Sequence, residues 1–212
     1  MDDSALMADA FGELADTYDH EHHDAVARAL LDLAPPEPED AVADVACGAG
    51  AVALQVAAML SHRAPAVLAV DLSEAMVAVG RARAERLGRA EAIDWRVGPA
   101  LPLPVPDGAL DLVLCASSLH FLGARALADW RRALRPGGRI GFTLPLASQF
   151  RPSGTFAALV ADDLPLPENV EQASALAASA GFVHVTARVA DIGSRAVVCV
   201  AASTPEPAVR HR

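Results

Sequence analysis

Cysteine is scarce in this chain. The three residues, Cys47, Cys115 and Cys199, lie in or beside apolar segments and show no metal-ligand spacing. A disulfide framework and a zinc box are excluded, and reduced core thiols in a cytoplasmic protein are expected. Basic residues are also short, 17 against 27 acidic, and the net charge of −10 argues against the clustered basic face that nucleic-acid binding needs. The mild concentrations at Arg81–Arg89 and Arg131–Arg139 read as solvated helix faces. Aromatic residues are only 4%, which further disfavours nucleic acid or a large protein as partner. The first twenty residues are acidic and broken by polar groups, so no secretory signal opens the chain. Ala41–Leu60 approaches a membrane-spanning length but carries Asp44, Gly48, Gly50 and Gln55, and it reads as buried strand plus helix. No internal repeat is present. With 212 residues, one well-buried domain is expected.

What the chain does carry is an alternation of strand and helix signals. Residues 5–33 hold Leu6, Phe11, Leu14, Val26, Leu30 and Leu33 at roughly helical spacing, ended by Pro35-Pro36-Glu37-Pro38. Strands are expected at 42–47, 66–71, 93–97, 110–116 and 139–144. Helices are expected at 52–60, from a Ser73 cap to 87, and over 124–134, the last stopped by Pro136-Gly137-Gly138. Such alternation predicts an α/β fold, a doubly wound, mostly parallel sheet with helices on both faces. The last third differs. A Pro- and Ser-rich stretch over 145–169 precedes a helix over 169–180, and two β runs flank Gly193-Ser194 as an antiparallel hairpin. A disordered tail is expected over 204–212.

The most informative stretch is Ala41–Gly50, AVADVACGAG. An apolar strand ends in Asp44 and runs through a small-residue turn, Ala46-Cys47-Gly48-Ala49-Gly50, into a helix. A second strand, VLAVDL, ends in Asp71. This is the layout of a nucleotide-type cofactor site at the carboxyl edge of a parallel sheet, where glycines admit the ligand and the second acid takes two ribose hydroxyls. A nicotinamide-type site requires G-x-G-x-x-G, and the third glycine is missing here. An acid at position 44 would repel a pyrophosphate and suits a cationic ligand. The alternatives are a loop acid at 44 and a helix N-cap at 71.

Further pieces follow in order. Phe11-Gly12-x-x-Ala15-x-x-Tyr18-Asp19 comes first, then Leu101-Pro102-Leu103-Pro104 through Asp107-Gly108-Ala109-Leu110-Asp111-Leu112-Val113. Leu119-His120-Phe121 and Arg132-Ala133-Leu134-Arg135-Pro136-Gly137-Gly138-Arg139 complete the set. Over residues 11–202 the chain resembles the class I S-adenosylmethionine (SAM)-dependent methyltransferases, specifically the small-molecule enzymes related to ubiquinone/menaquinone biosynthesis. The resemblance implies a seven-stranded Rossmann-like sheet, a helical lid over 1–34 and a SAM-binding domain over 40–203. It implies that Asp44 and the Ala46–Gly50 backbone, including Gly48, hold the methionine moiety and ribose edge, and that Asp71 takes the ribose hydroxyls. Leu72 and Met76 would pack the adenine, although Met76 also reads as plain core. Cys115 and Ala116 would line the methionine arm and Tyr18 would close the site. Ala46 stands where the family has glycine, a change expected to shift backbone clearance only slightly. In Gly98-Pro99-Ala100 the family's middle residue is an adenine-binding Asp. Pro99 offers neither carboxylate nor amide hydrogen, at a cost of about 1 kcal/mol unless the backbone at Ala100 substitutes. Asp111 reads as structural.

For methyl transfer the leaving group is a neutral thioether, so the enzyme chiefly aligns the acceptor and excludes water. Where the acceptor needs a base, His120, just after the fourth strand, is the first candidate, with helix-entry packing as its alternative. His20-Glu21-His22-His23-Asp24 fails the H-E-x-x-H zinc rule and reads as a solvated helix, from which His22 or His23 reaches the acceptor; no metal is expected. The expected partner is a small-molecule acceptor, with walls from the N-terminal helices and 145–168, including Phe150, Phe156 and Leu159. Neither nucleic acid nor membrane is expected, and a homodimer is compatible. Two other readings share the fold: a non-catalytic SAM-binding subunit, motivated by Ala46 and Pro99, and a SAM-binding enzyme of another reaction type.

Overall fold

The computed structural model describes residues 3–15, 18–152 and 154–206. Its centre is a seven-stranded sheet: β1 (Val42–Val45), β2 (Val67–Asp71), β3 (Ile93–Val97), β4 (Leu110–Cys115), β5 (Leu134–Pro145), β6 (Val183–Ile192) and β7 (Arg195–Ser203). The spatial order is β3-β2-β1-β4-β5-β7-β6. The first five strands pair in parallel, and β7 enters antiparallel to both β5 and β6. β1 is buried at every position, as a central parallel strand covered on both faces must be. The strand order reverses between β1 and β4, which opens a crevice above the carboxyl ends of β1, β2 and β4.

The helices are α1 (Asp3–Gly12), α2 (His20–Leu31), α3 (Ala51–Met59), α4 (Glu74–Arg86), α5 (Leu119–Leu122), α6 (Arg125–Ala133), α7 (Thr155–Leu159) and α8 (Val170–Ser179). One face of the sheet packs Val45, Val113, Phe142 and Val200 against Leu127 and Trp130 of α6 and Ala173 of α8. The other packs Val42, Ala69 and Leu114 against α2, α3 and α4. Local chemistry places the helix starts. Ser73 Oγ accepts the Met76 amide at the head of α4, and Asn169 Oδ1 accepts the Gln172 amide at the head of α8.

Three sequence expectations shift. β5 starts at Leu134, where a glycine-led stop and a strand from 139 were expected. Leu134 already pairs with Leu110, and the ladder resumes at Arg139 with the intervening Pro-Gly-Gly segment bulged out. The lid over 1–34 divides in two. Val26, Ala27 and Leu30 of α2 are fully buried, so α2 is part of the core, whereas α1 contributes to neither of the two large cores. The tail expected from 204 is anchored at its first residue. Thr204 is buried, its amide donates to Gly138 O (2.8 Å) and its Oγ1 to Arg135 O (2.8 Å); residues 207–212 lie outside the described residues. Asp111 is structural as expected, accepting the Ala41 amide at 2.8 Å and pairing with Arg135. Among the described residues no helix is long and apolar enough to cross a membrane.

Candidate active site

The turn after β1 is shaped by left-handed backbone. Ala46 (φ +52°), Gly48 (φ +52°) and Gly50 (φ +75°) carry the chain from strand to helix, and the Cys47 amide ties the turn to Val70 O at 3.0 Å. At Ala46 this conformation costs about 1–2 kcal/mol that glycine avoids, so the substitution affects backbone energy as well as clearance. A side chain at Gly48 would meet the Tyr18 hydroxyl at 3.2 Å. The bare Cα therefore lets Tyr18 approach the turn.

The two acids stand at adjacent strand ends. Asp44 is 1% exposed, and its Oδ2 accepts the Ala53 amide at 2.9 Å. Gly50, the N-cap of α3, has no side-chain cap, so Asp44 supplies a carboxylate to the first turn of α3 from the neighbouring strand. Burial pushes the Asp44 carboxyl up to about 7, opposed by the Ala53 amide and reinforced by Asp71. Asp71 Oδ2 accepts the Gly48 amide (2.7 Å) and Oδ1 the Ser73 amide (2.9 Å). Burial raises this carboxyl too, against those backbone donors. Burial first, and then Asp71 and Asp44, raise the Tyr18 phenol well above its ordinary value.

These groups converge on one cavity lined by Tyr18, Asp44, Ala46, Gly48, Asp71, Leu72, Met76, Ala100 and Ala116 among others. Among the described residues its charged lining is Asp44 and Asp71, with no cation. Four expected residues fall outside this lining. Gly50 sits where a Cβ would lie 2.2 Å from Trp95 Cη2, so its role is to admit the indole. Cys115 is fully buried in the sheet core, and its neighbour Ala116 reaches the cavity instead. Pro99 lines a separate opening, and Gly98 is absent from the lining.

The structure adds lining residues that were not expected at the cofactor site. Met7 and Phe11 come from α1, Ala51 and Val52 from the start of α3, and Ser117, Ser118 and Leu122 from the segment after β4. The first-turn amides of Ala51 and Val52 have no intrahelical acceptor. Two consecutive serines directly after an apolar strand were the available signal for 117 and 118. Ser117 is held at φ +60° with its amide on Thr143 Oγ1 (2.8 Å), and Ser118 Oγ donates to Ala46 O at 3.2 Å.

The histidines lie elsewhere. His120 is 4% exposed and lines a second cavity together with His22; burial lowers its pKa to about 4. His23 is stacked on Tyr18 (4.3 Å, 8° between planes) and is also lowered to about 4, by burial and then by His22. Among the described residues no cluster of His, Cys, Asp or Glu is arranged to hold a metal ion.

The chain matches the family described as methyltransferase domain over residues 42–138. Over 114 residues it is 38% identical to a ubiquinone/menaquinone biosynthesis C-methyltransferase of Acidiphilium cryptum, an alignment covering 53% of this chain and 45% of that protein. Over 193 residues it is 30% identical to a demethylmenaquinone methyltransferase of Symbiobacterium thermophilum, covering 76% and 75%. The chain thus spans about half the length of the first relative and three quarters of the second. Among solved structures, a SAM-dependent methyltransferase from Aquifex aeolicus superposes with a TM-score of 0.63 at 21% identity, over 96% of this chain and 98% of that one. That is a likeness of fold.

Proposed function

Because the chain belongs to the class I SAM-dependent methyltransferases related to the quinone-biosynthesis enzymes, we propose that it transfers the methyl group of SAM to a small organic acceptor. One observation carries this reading: among the described residues, the cavity at the carboxyl edge of β1, β2 and β4 is charged by Asp44 and Asp71 and by no cation. Two buried carboxyls, both raised by burial, are held in their ionised form by a cation bearing hydroxyl donors.

The donor set fits SAM. Each Asp71 oxygen accepts one amide and keeps a lone pair for a ribose hydroxyl. Asp44 keeps Oδ1 for the ammonium, and the Ala51 and Val52 amides suit the carboxylate. Leu72, Met76 and the backbone at Ala100 provide an apolar seat for the adenine, with Pro99 lying outside it. Bound there, SAM supplies an electrophilic methyl group on a sulfonium sulfur, and its displacement releases a neutral thioether. Phe11 and Phe121, in edge contact at 5.4 Å, and Leu122 exclude water from the reacting side. His120, neutral above its lowered pKa, is the hydrogen-bond acceptor and base available to the acceptor. His23 acts through Tyr18, whose ring it holds by stacking. The acidic charge supports a small acceptor over nucleic acid, and the reduced thiols support a cytoplasmic location. A homodimer remains compatible with this reading.

Calorimetric titration with SAM and S-adenosylhomocysteine tests it, with Asp71→Ala as the control. Micromolar binding that falls at least ten-fold in the variant is expected, since a doubly bonded carboxylate is worth more than 1.4 kcal/mol. Wild-type protein that binds neither ligand at millimolar concentration would refute the reading.

A further inference from the structure

Ser117 borders two cavities. The first lies over β2, β1 and β4. The second continues on the other side, over the ends of β5 and β7, reached through Thr143, Pro145 and Val197. The ribose acid Asp71 belongs to the far, β2 side. A second reactant approaching from the side of β4 therefore enters through this second cavity, with Ser117 at the junction.

The two cavities differ in charge. Among the described residues the second carries two arginines, Arg151 and Arg195, and no carboxylate, in a protein whose net charge is −10. Neither arginine forms an ion pair among the described residues, whereas six others do. Arg151 Nη1 is fixed on Phe150 O (2.8 Å) and Ala147 O (3.2 Å), which leaves its other donors unused. Gln149 Oε1 accepts the Ala196 amide at 2.9 Å, so its amide group has its donors left. His120 is buried in the wall, and its Nδ1 has no hydrogen-bond partner among the described residues. Phe150 stands edge-on to the His120 ring at 5.0 Å. Two exposed guanidinium groups with no carboxylate partner among the described residues, beside the apolar wall of Phe150 and Val197, suit an anion carried on an apolar body.

We infer that this second cavity is the acceptor site and that it selects small acceptors bearing a carboxylate on an aromatic or apolar body. The inference rests on the methyltransferase reading above. Arg151 and Arg195 take the carboxylate, Phe150 and Val197 take the body, and the His120 ring borders the acceptor on the Ser117 side. The guanidinium is matched to a carboxylate by its planar fork, which gives charge and direction together.

The test uses the full chain saturated with S-adenosylhomocysteine. Benzoate and trans-cinnamate are titrated against benzamide and cinnamamide, neutral probes of nearly the same shape. The acids are expected to bind roughly ten-fold or more tightly than the amides, with a preference that shrinks as salt is raised. In the Arg151→Gln and Arg195→Gln variants that preference falls towards unity, while S-adenosylhomocysteine binds as in the wild type. Equal binding of acids and amides, absence of acid binding at millimolar concentration, or a preference that survives both substitutions would overturn the inference. Failure of S-adenosylhomocysteine to bind the wild type would instead overturn the methyltransferase reading itself.

Discussion

At Asp44 two demands meet on one carboxylate. It caps α3 through the Ala53 amide, and it faces a cavity that holds a second carboxylate and, among the described residues, no cation. Burial first, with Asp71 adding and the Ala53 amide opposing, holds its pKa at about 7 in the folded protein against 3.8 ordinarily. A carboxyl raised on folding binds its proton more tightly in the native state. The stability it adds is therefore complete below about pH 4 and is lost as the pH rises to about 7. Asp44→Asn keeps an oxygen for Ala53 and removes the charge. Above pH 7 it should stabilise the ligand-free protein by up to roughly 4 kcal/mol, with the gain vanishing towards pH 4. His120 and His23, lowered to about 4, give the opposite slope. They are common to both proteins, so the difference between urea unfolding curves isolates Asp44. A cationic ligand needs the ionised acid, so wild-type affinity for SAM should weaken about ten-fold from about pH 8 to about pH 6. The same titration in the variant should be weaker and flat. A wild-type profile without slope in this range would remove Asp44 from ligand binding.

At the scale of elements, the turn from β1 to α3 shows what a sequence discloses and what it withholds. Strand, acid, small residues and helix were legible because period and composition dictate them. Asp44 and Asp71 were legible because acids at the ends of two apolar runs have few other reasons to be there. What the glycines touch was not legible. Gly50 and Gly80, one in the turn and one within α4, both abut the Trp95 indole from β3, and no local pattern links positions 50, 80 and 95. The same holds for Cys115, whose assignment depended on which of two adjacent residues faces the crevice. Gly50→Ala should destabilise by about 2–4 kcal/mol, adding overpacking against Trp95 to the left-handed strain. Gly88→Ala is the control, since it shares the positive φ (+66°) with open space around it and should cost only about 1 kcal/mol. Urea unfolding with unchanged slope checks both. Equal losses at the two sites would mean that Trp95 yields and that Gly50 is required for its backbone alone.

Over the whole molecule, the division between scaffold and cover follows from where each helix puts its apolar side chains. The two large cores on the sheet faces contain no residue before Ala27. α1 instead packs on α4 and α7, and it sends Met7 and Phe11 to the cofactor cavity, with Phe11 in edge contact with Phe121 and Phe156. The apolar N-terminal spacing predicted helices but could not separate these roles, because periodicity marks a buried face without naming what buries it. The structure separates them, and deletion of residues 1–15 is the decisive construction. It spares Tyr18, the Asp24–Arg83 ion pair that ties α2 to α4 at 2.8 Å, and every residue of the two cores. The shortened protein should unfold in one cooperative transition. Its affinity for S-adenosylhomocysteine should fall about ten-fold or more, since each large apolar contact removed is worth about 1.5–3 kcal/mol when fully buried. Cooperative unfolding with unchanged affinity would make α1 a packing element rather than a cover. Loss of cooperativity would place it in the folding core, against the distribution of buried side chains that assigns it to the site.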